Sequence, residues 1–119
     1  MMSETRLLFV ILSGPNEIEK ARQGLRVARN DAKEGHVREV RMLFLGPGAS
    51  LLDPDNPHYE LVKKYASEMK EAGVYLAVCA GNLRAYGLYE KFDKSLFIAD
   101  DSTAVITEAA INNFVIITF

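Results

Sequence analysis

Val74-Tyr75-Leu76-Ala77-Val78-Cys79, followed at once by Ala80-Gly81-Asn82, decides the fold. Six residues that are almost all apolar do not alternate between a wet and a dry face, so a strand built from them is buried on both sides. That is the mark of a parallel sheet sandwiched between helices. The small residues that follow form a tight turn into a helix. Outward from this segment the pattern repeats. Leu7 to Leu12, Val40 to Leu45 (interrupted by Arg41) and Phe114 to Phe119 are similar runs, and Leu96 to Ala99 is a shorter one. Five strands are therefore expected.

The segments between them have helical spacing. Ile18, Ala21, Leu25, Ala28 and Ala32 recur at three and four residues and share one face, with Glu17, Lys20, Arg22 and Arg29 toward water. Asn16 with Glu19 reads as a capping pair, and Gly35 as the left-handed stop. A second helix is expected over 57–72, with Asn56 as N-cap, a stripe of Leu61, Tyr65, Met69 and Ala72, and Gly73 as terminator. A shorter helix should begin near Asn82 and end around 87–90. A last one should start at Asp101 or Ser102 and bury Val105, Ile106 and Ala109. Gly46 to Asn56, rich in Gly, Pro, Asp and Asn, reads as an ordered surface loop. The order βαβαβα(β)αβ with connections of crossover length predicts an α/β fold: a three-layer α/β/α sandwich around a mainly parallel five-stranded sheet. A chain of 119 residues suits one such domain, 1–119.

Composition narrows function by exclusion. Fourteen Lys and Arg against 16 Asp and Glu give a formal charge of −2, with no basic stripe to neutralise phosphates, so nucleic acid is not an expected partner. No apolar run approaches the roughly 20 residues that cross a bilayer, and Leu7 to Leu12 leads into Ser13-Gly14-Pro15 without a cleavage site. No membrane partner and a cytoplasmic location are expected. A single cysteine makes no intrachain disulfide, so a redox role would use a free thiol, a persulfide or a second molecule. GxGxxG and GxxxxGK[ST] are absent, and His36 and His58 read as surface residues, which leaves a metal site without ligands. No cofactor is expected. A flavodoxin-like flavin site is a weak possibility, because Ser13 to Asn16 is not a Ser/Thr-rich phosphate loop.

In parallel sheets, ligands gather outside the carboxyl ends of the strands. Three glycine-bearing turns fall there: Ser13-Gly14-Pro15-Asn16, Gly46-Pro47-Gly48-Ala49-Ser50 and Cys79-Ala80-Gly81-Asn82. Their backbone N–H groups could hold an anion, or the glycines could serve only the tight turns. Cys79 ends its strand just before a helix. A thiolate there would feel the positive end of the helix dipole, with Arg84 in the first turn adding charge, and a buried Cys acting as a small core residue is the other reading. Asp53, Asp55, Asp100 and Asp101 read as turn and cap residues.

The opening strand with Ser13-Gly14-Pro15, the run Phe44-Leu45-Gly46-Pro47-Gly48, the segment Val78 to Leu88 with Cys79 eight residues before Gly87, and the closing Ile116-Ile117-Thr118-Phe119 together resemble the DsrE/DsrF-like proteins. The resemblance spans nearly the whole chain. It implies a three-layer α/β/α fold, assembly as a homotrimer or hexamer, and, for sulfur-relay members, a persulfide carried on the cysteine matching Cys79 and passed to a partner protein's thiol. Leu83-Arg84-Ala85 followed by Gly87 is closer to stand-alone members of undefined activity than to relay members, which have alanines after the cysteine and arginine just before the glycine. Tyr86, Tyr89, Phe92 and Phe97 could pack between subunits or fill the core. The expectations are thus a sulfur carrier using Cys79 with Gly81, Asn82 and Arg84, or an oligomeric protein in which Cys79 only packs and the three glycine turns, with Ser13, Gly14, Gly46, Gly48, Gly81 and Asn82, bind a small anion or a protein partner.

Overall fold

The apolar runs become five parallel strands in a computed structural model that describes residues 3–119. They are β1 (Arg6–Ile11), β2 (Glu39–Phe44), β3 (Tyr75–Cys79), β4 (Ile98–Asp100) and β5 (Val115–Thr118), in the order β4-β3-β2-β1-β5. Every pairing is parallel. Four α-helices complete the chain: α1 (Ile18–Glu34), α2 (Tyr59–Glu71), α3 (Ala80–Ala85) and α4 (Ser102–Ile111). The three-layer α/β/α sandwich is as the sequence predicts, with the sheet wholly parallel.

Strand periodicity divides the core. Phe9, Ile11, Met42, Phe44 and Val78 point to one face, where α1 supplies Ala21, Leu25 and Ala28, α2 supplies Val62, Ala66 and Met69, and α3 supplies Leu83. Leu8, Val10, Leu43 and Ala77 point to the other, which α4 covers with Val105 and Ala109. Each large side chain fully buried this way contributes roughly 1.5–3 kcal/mol, so the first face carries most of the stabilisation. Chain direction explains the asymmetry. The path steps from β1 to β2 to β3 to β4 with its helices on the first face. It then returns across the whole sheet from β4 to β5, and crossovers of constant hand force α4 onto the opposite face.

Several boundaries differ from the expectation. Asn16 does not cap α1: Pro15–Glu17 form a 3₁₀ turn, and Glu17 precedes the helix without a side-chain cap bond. Gly35 ends it at φ 70° as predicted. Asn56 acts earlier than an N-cap would, its Oδ1 accepting the His58 N–H (2.7 Å) and its carbonyl the Tyr59 N–H (3.0 Å), so the helix starts at Tyr59 rather than Pro57. The stretch read as a surface loop is a 3₁₀ segment, Gly46–Leu52, whose Gly48, Ala49, Leu51 and Leu52 are buried. Leu12 falls outside β1 and is exposed. β4 starts two residues later and ends one later than expected, at 98–100 in place of 96–99.

The aromatic residues of the later chain settle inward. Phe97 is 1% exposed and meets Phe44 edge-on at 5.6 Å, and Phe92 is also buried. Of the four weighed for a subunit interface, only Tyr86 is exposed.

Candidate functional site

Cys79 occupies the last position of β3, in register with Asp100 at the end of β4. These neighbouring strands send their chains to opposite faces, β3 into α3 on the first and β4 into α4 on the second. Parallel α/β proteins bind ligands where adjacent connections diverge in this way. Cys79 ends the strand on one side of that divergence.

The helix after it starts sooner than the sequence suggests. Ala80 is already helical, so Cys79 is itself the N-cap, and its Sγ accepts the Asn82 N–H at 3.5 Å. Serine and threonine oxygens make the same bond at other helix starts, satisfying one of the first-turn donors. Here sulfur takes the role. Cys79 is buried, with 9% of the residue's surface exposed, so most of the side chain packs. A Cβ at Gly81 would lie 3.9 Å from the sulfur, an ordinary contact.

Arg84 is displaced by this shift in helix start. It sits in the last turn of α3 rather than the first, and its guanidinium lies over the Tyr89 ring, 4.5 Å from the centroid. The structure therefore gives Arg84 an aromatic partner, and the donor nearest the sulfur is a backbone N–H.

The three glycine turns do meet. A Cβ on Gly14 would fall 2.6 Å from the Pro47 carbonyl oxygen, and one on Gly48 would fall 1.9 Å from the Ile11 oxygen. Gly46 has φ 57° and donates its N–H to Asn82 Oδ1 at 2.8 Å, which ties the second turn to α3. The N–H groups of these turns are largely engaged within the protein. Ser13 N–H, on a buried residue, donates to Phe119, and Gly48 N–H to Leu45, while that of Asn82 serves the sulfur. The turn-geometry reading of Gly14, Gly46 and Gly48 thus has a direct structural cause, and Asn82 gains a role as a latch between the loops.

A second group of polar residues lies on the α4 face of the same sheet. Glu39, Arg41, Tyr75, Asp100, Val105 and Glu108 line a cavity of about 310 Å³. Arg41 bridges Glu39 (2.7 Å) and Glu108 (3.6 Å) and lies over Phe114, 4.4 Å from the ring centroid. Tyr75 donates its hydroxyl hydrogen to Asp100, which also accepts the Asp101 N–H at 2.7 Å. Asp100 is therefore more than a turn residue. Asp101 caps α4 through Thr103 N–H at 3.0 Å, and Asp53 accepts the Asp55 N–H, both as read from the sequence. The only sequence signal for this cluster was the charge that interrupts the apolar run at Arg41.

Burial, followed by the hydrogen bond to Asp100 and the charge it carries, pushes the Tyr75 hydroxyl up to about 12 from 10.0. A raised phenol stabilises the fold while it is protonated, and that contribution is lost as pH rises from 10 through about 12. The Tyr75→Phe variant is expected to lose about 1 kcal/mol at neutral pH and to show a flatter decline in this alkaline window. Chemical denaturation at several pH values reads both effects; an unchanged slope in the variant would assign the alkaline loss to other groups.

Among the described residues, no three His, Cys, Asp or Glu side chains cluster as a metal site, and no helix is long and apolar enough to cross a membrane. No protein-family model matches the chain, and no curated protein matches it. Solved structures do. A conserved protein of unknown function, BT1422 from Bacteroides thetaiotaomicron, superposes with a TM-score of 0.76 at 16% identity over 96% of this chain and 94% of its own. A protein of unknown function, MTH1491 from Methanobacterium thermoautotrophicum, gives 0.75 at 16% identity over 98% and 100%. At such identities the likeness shows a shared fold, a parallel α/β/α sandwich matched along almost its full length.

Proposed function

We propose that the protein is a sulfur carrier that loads a persulfide on Cys79 and passes it to a thiol of a partner protein, working as a homo-oligomer. The observation that supports this reading most is the Asn82 N–H aimed at Cys79 Sγ (3.5 Å) at the carboxyl end of β3, beside β4. In the first step, the Cys79 thiolate attacks the outer sulfur of a donor persulfide. The new S–S bond forms on Cys79 as the donor's S–S bond breaks, and the donor leaves as a thiolate. An acceptor thiolate then attacks the outer sulfur, and Cys79 leaves as a thiolate. No external oxidant is required, because the sulfane sulfur keeps its oxidation level throughout.

A rival reading rests on the 9% exposure of Cys79: the thiol only packs, and the protein is an oligomeric binding module for a small anion or a protein partner. The carrier reading requires release as well as loading. Persulfide-loaded protein, freed of donor and mixed with a small acceptor thiol, is expected to return to its unloaded mass while the acceptor gains one sulfur. Retention of the extra sulfur under excess thiol would identify a dead-end adduct and favour the binding module.

A further inference from the structure

β5, four residues long, is an open sheet edge without the charges or prolines by which edge strands avoid pairing. Charged residues, prolines, bulges and extreme shortness usually blunt such edges. The opposite edge, β4, has two of them: it is three residues long and runs into Asp100 and Asp101. From Asn112 to Phe119 there is no charge and no proline. Val115 is 54% exposed, Ile116 37%, and Ile111, where α4 leads toward the strand, 74%.

The backbone of this edge has a defined polarity. Phe119 donates its N–H to the Val10 carbonyl (2.9 Å) and accepts from Leu12 N–H (2.8 Å), so Phe119 faces β1. Strand geometry then turns the N–H and C=O of Thr118 and Ile116 away from the sheet. Such a row of outward donors and acceptors is complementary to itself when two copies run antiparallel.

We propose that β5 pairs antiparallel with β5 of a second copy of this chain, joining two five-stranded sheets into one across a two-fold axis. Two features select a second copy as the occupant. The strip is uncharged, so like meets like without repulsion. The other edge is short and acidic, which disfavours head-to-tail β4–β5 chains and leaves the closed, symmetric pair. With the axis perpendicular to the sheet, both α4 helices lie on the same side and Ile116 comes to the seam. This deepens the self-association in the reading above and does not depend on sulfur chemistry.

Light scattering on the purified protein at high micromolar concentration tests it, each chain contributing 13.3 kDa. An even-numbered mass is expected, either a dimer or a larger assembly containing it. The Ile116→Lys variant, which sets like charges against each other at the seam, is expected to halve that mass while its circular dichroism and melting stay those of a folded chain. Thr118→Pro, which removes an outward N–H and spares the bonds to β1, is expected to do the same. A monomeric or three-chain wild type, or folded variants of unchanged mass, would overturn the edge pairing. Sulfur loading read on the same samples distinguishes that failure from failure of the carrier role.

Discussion

Replacing Gly48 with alanine is expected to destabilise the fold by at least about 3 kcal/mol, the upper part of the range for forced overpacking. The added Cβ would lie 1.9 Å from the Ile11 carbonyl oxygen and 2.7 Å from its carbon, and these are backbone atoms of β1 rather than the flexible end of a side chain. That carbonyl also accepts the Leu45 N–H at 3.0 Å, so moving it away breaks the bond that joins the second turn to the sheet. For a domain of this size the midpoint of thermal unfolding should fall by on the order of 10 °C or more. Gly46→Ala is the control. Its φ of 57° carries a backbone penalty, but the nearest atom, Leu12 Cδ2, is 3.9 Å away, so the expected loss is only about 1 kcal/mol. Equal losses in the two variants would mean that close approach of the chain to β1 is not what requires glycine at 48.

The second large effect concerns access to Cys79. At 9% exposure, alkylation by a small reagent proceeds mainly through local opening, and the latch on that opening is Asn82. Its side chain holds the Gly46 N–H at 2.8 Å, while its backbone N–H faces the sulfur. Asn82→Ala removes the first bond and keeps the second. Leaving Gly46 N–H without its partner lowers the opening cost by about 1.4 kcal/mol, so the native-state alkylation rate of Cys79 is expected to rise about tenfold. The rate in denaturant should be the same for both proteins. An unchanged native rate would show that opening elsewhere controls the thiol. Arg84→Ala should leave the rate nearly unaltered, because that guanidinium is placed over Tyr89.

These expectations show where sequence suffices and where it does not. Leu7 to Ile11, Val40 to Phe44 and Tyr75 to Cys79 are legible as buried strands because burial on both faces removes polar residues from a whole run. The α1 stripe of Ala21, Leu25 and Ala28 is legible for the matching reason, one face against one core. The stretch after Gly46 misleads, since glycine and proline suggest solvent. Ala49, Leu51 and Leu52 nevertheless tuck a 3₁₀ segment into the core, and their apolar character was the available sign. The start of α3 lies two residues earlier than expected because sulfur is not among the usual caps, and that difference alone moves Arg84 to the last turn. Phe92 and Phe97 come from an irregular segment without periodicity, so only tertiary packing assigns them to the core.

The two polar sites differ in the same way. The three strand-end turns could be foreseen because topology alone brings the carboxyl ends together. The group of Arg41, Tyr75 and Asp100 could not, since its members lie on three strands separated by long stretches of chain and meet only through sheet register. Register is a property of pairing, and no local pattern encodes it.

Intact-mass spectrometry of the reduced, native protein after exposure to a low-molecular-weight persulfide is the most direct test of sulfur carriage. A gain of one sulfur atom per chain, confined to the peptide containing Cys79 and absent from Cys79→Ser, is the result expected. A wild type that stays at its unmodified mass, or a serine variant that gains the same increment, would contradict it.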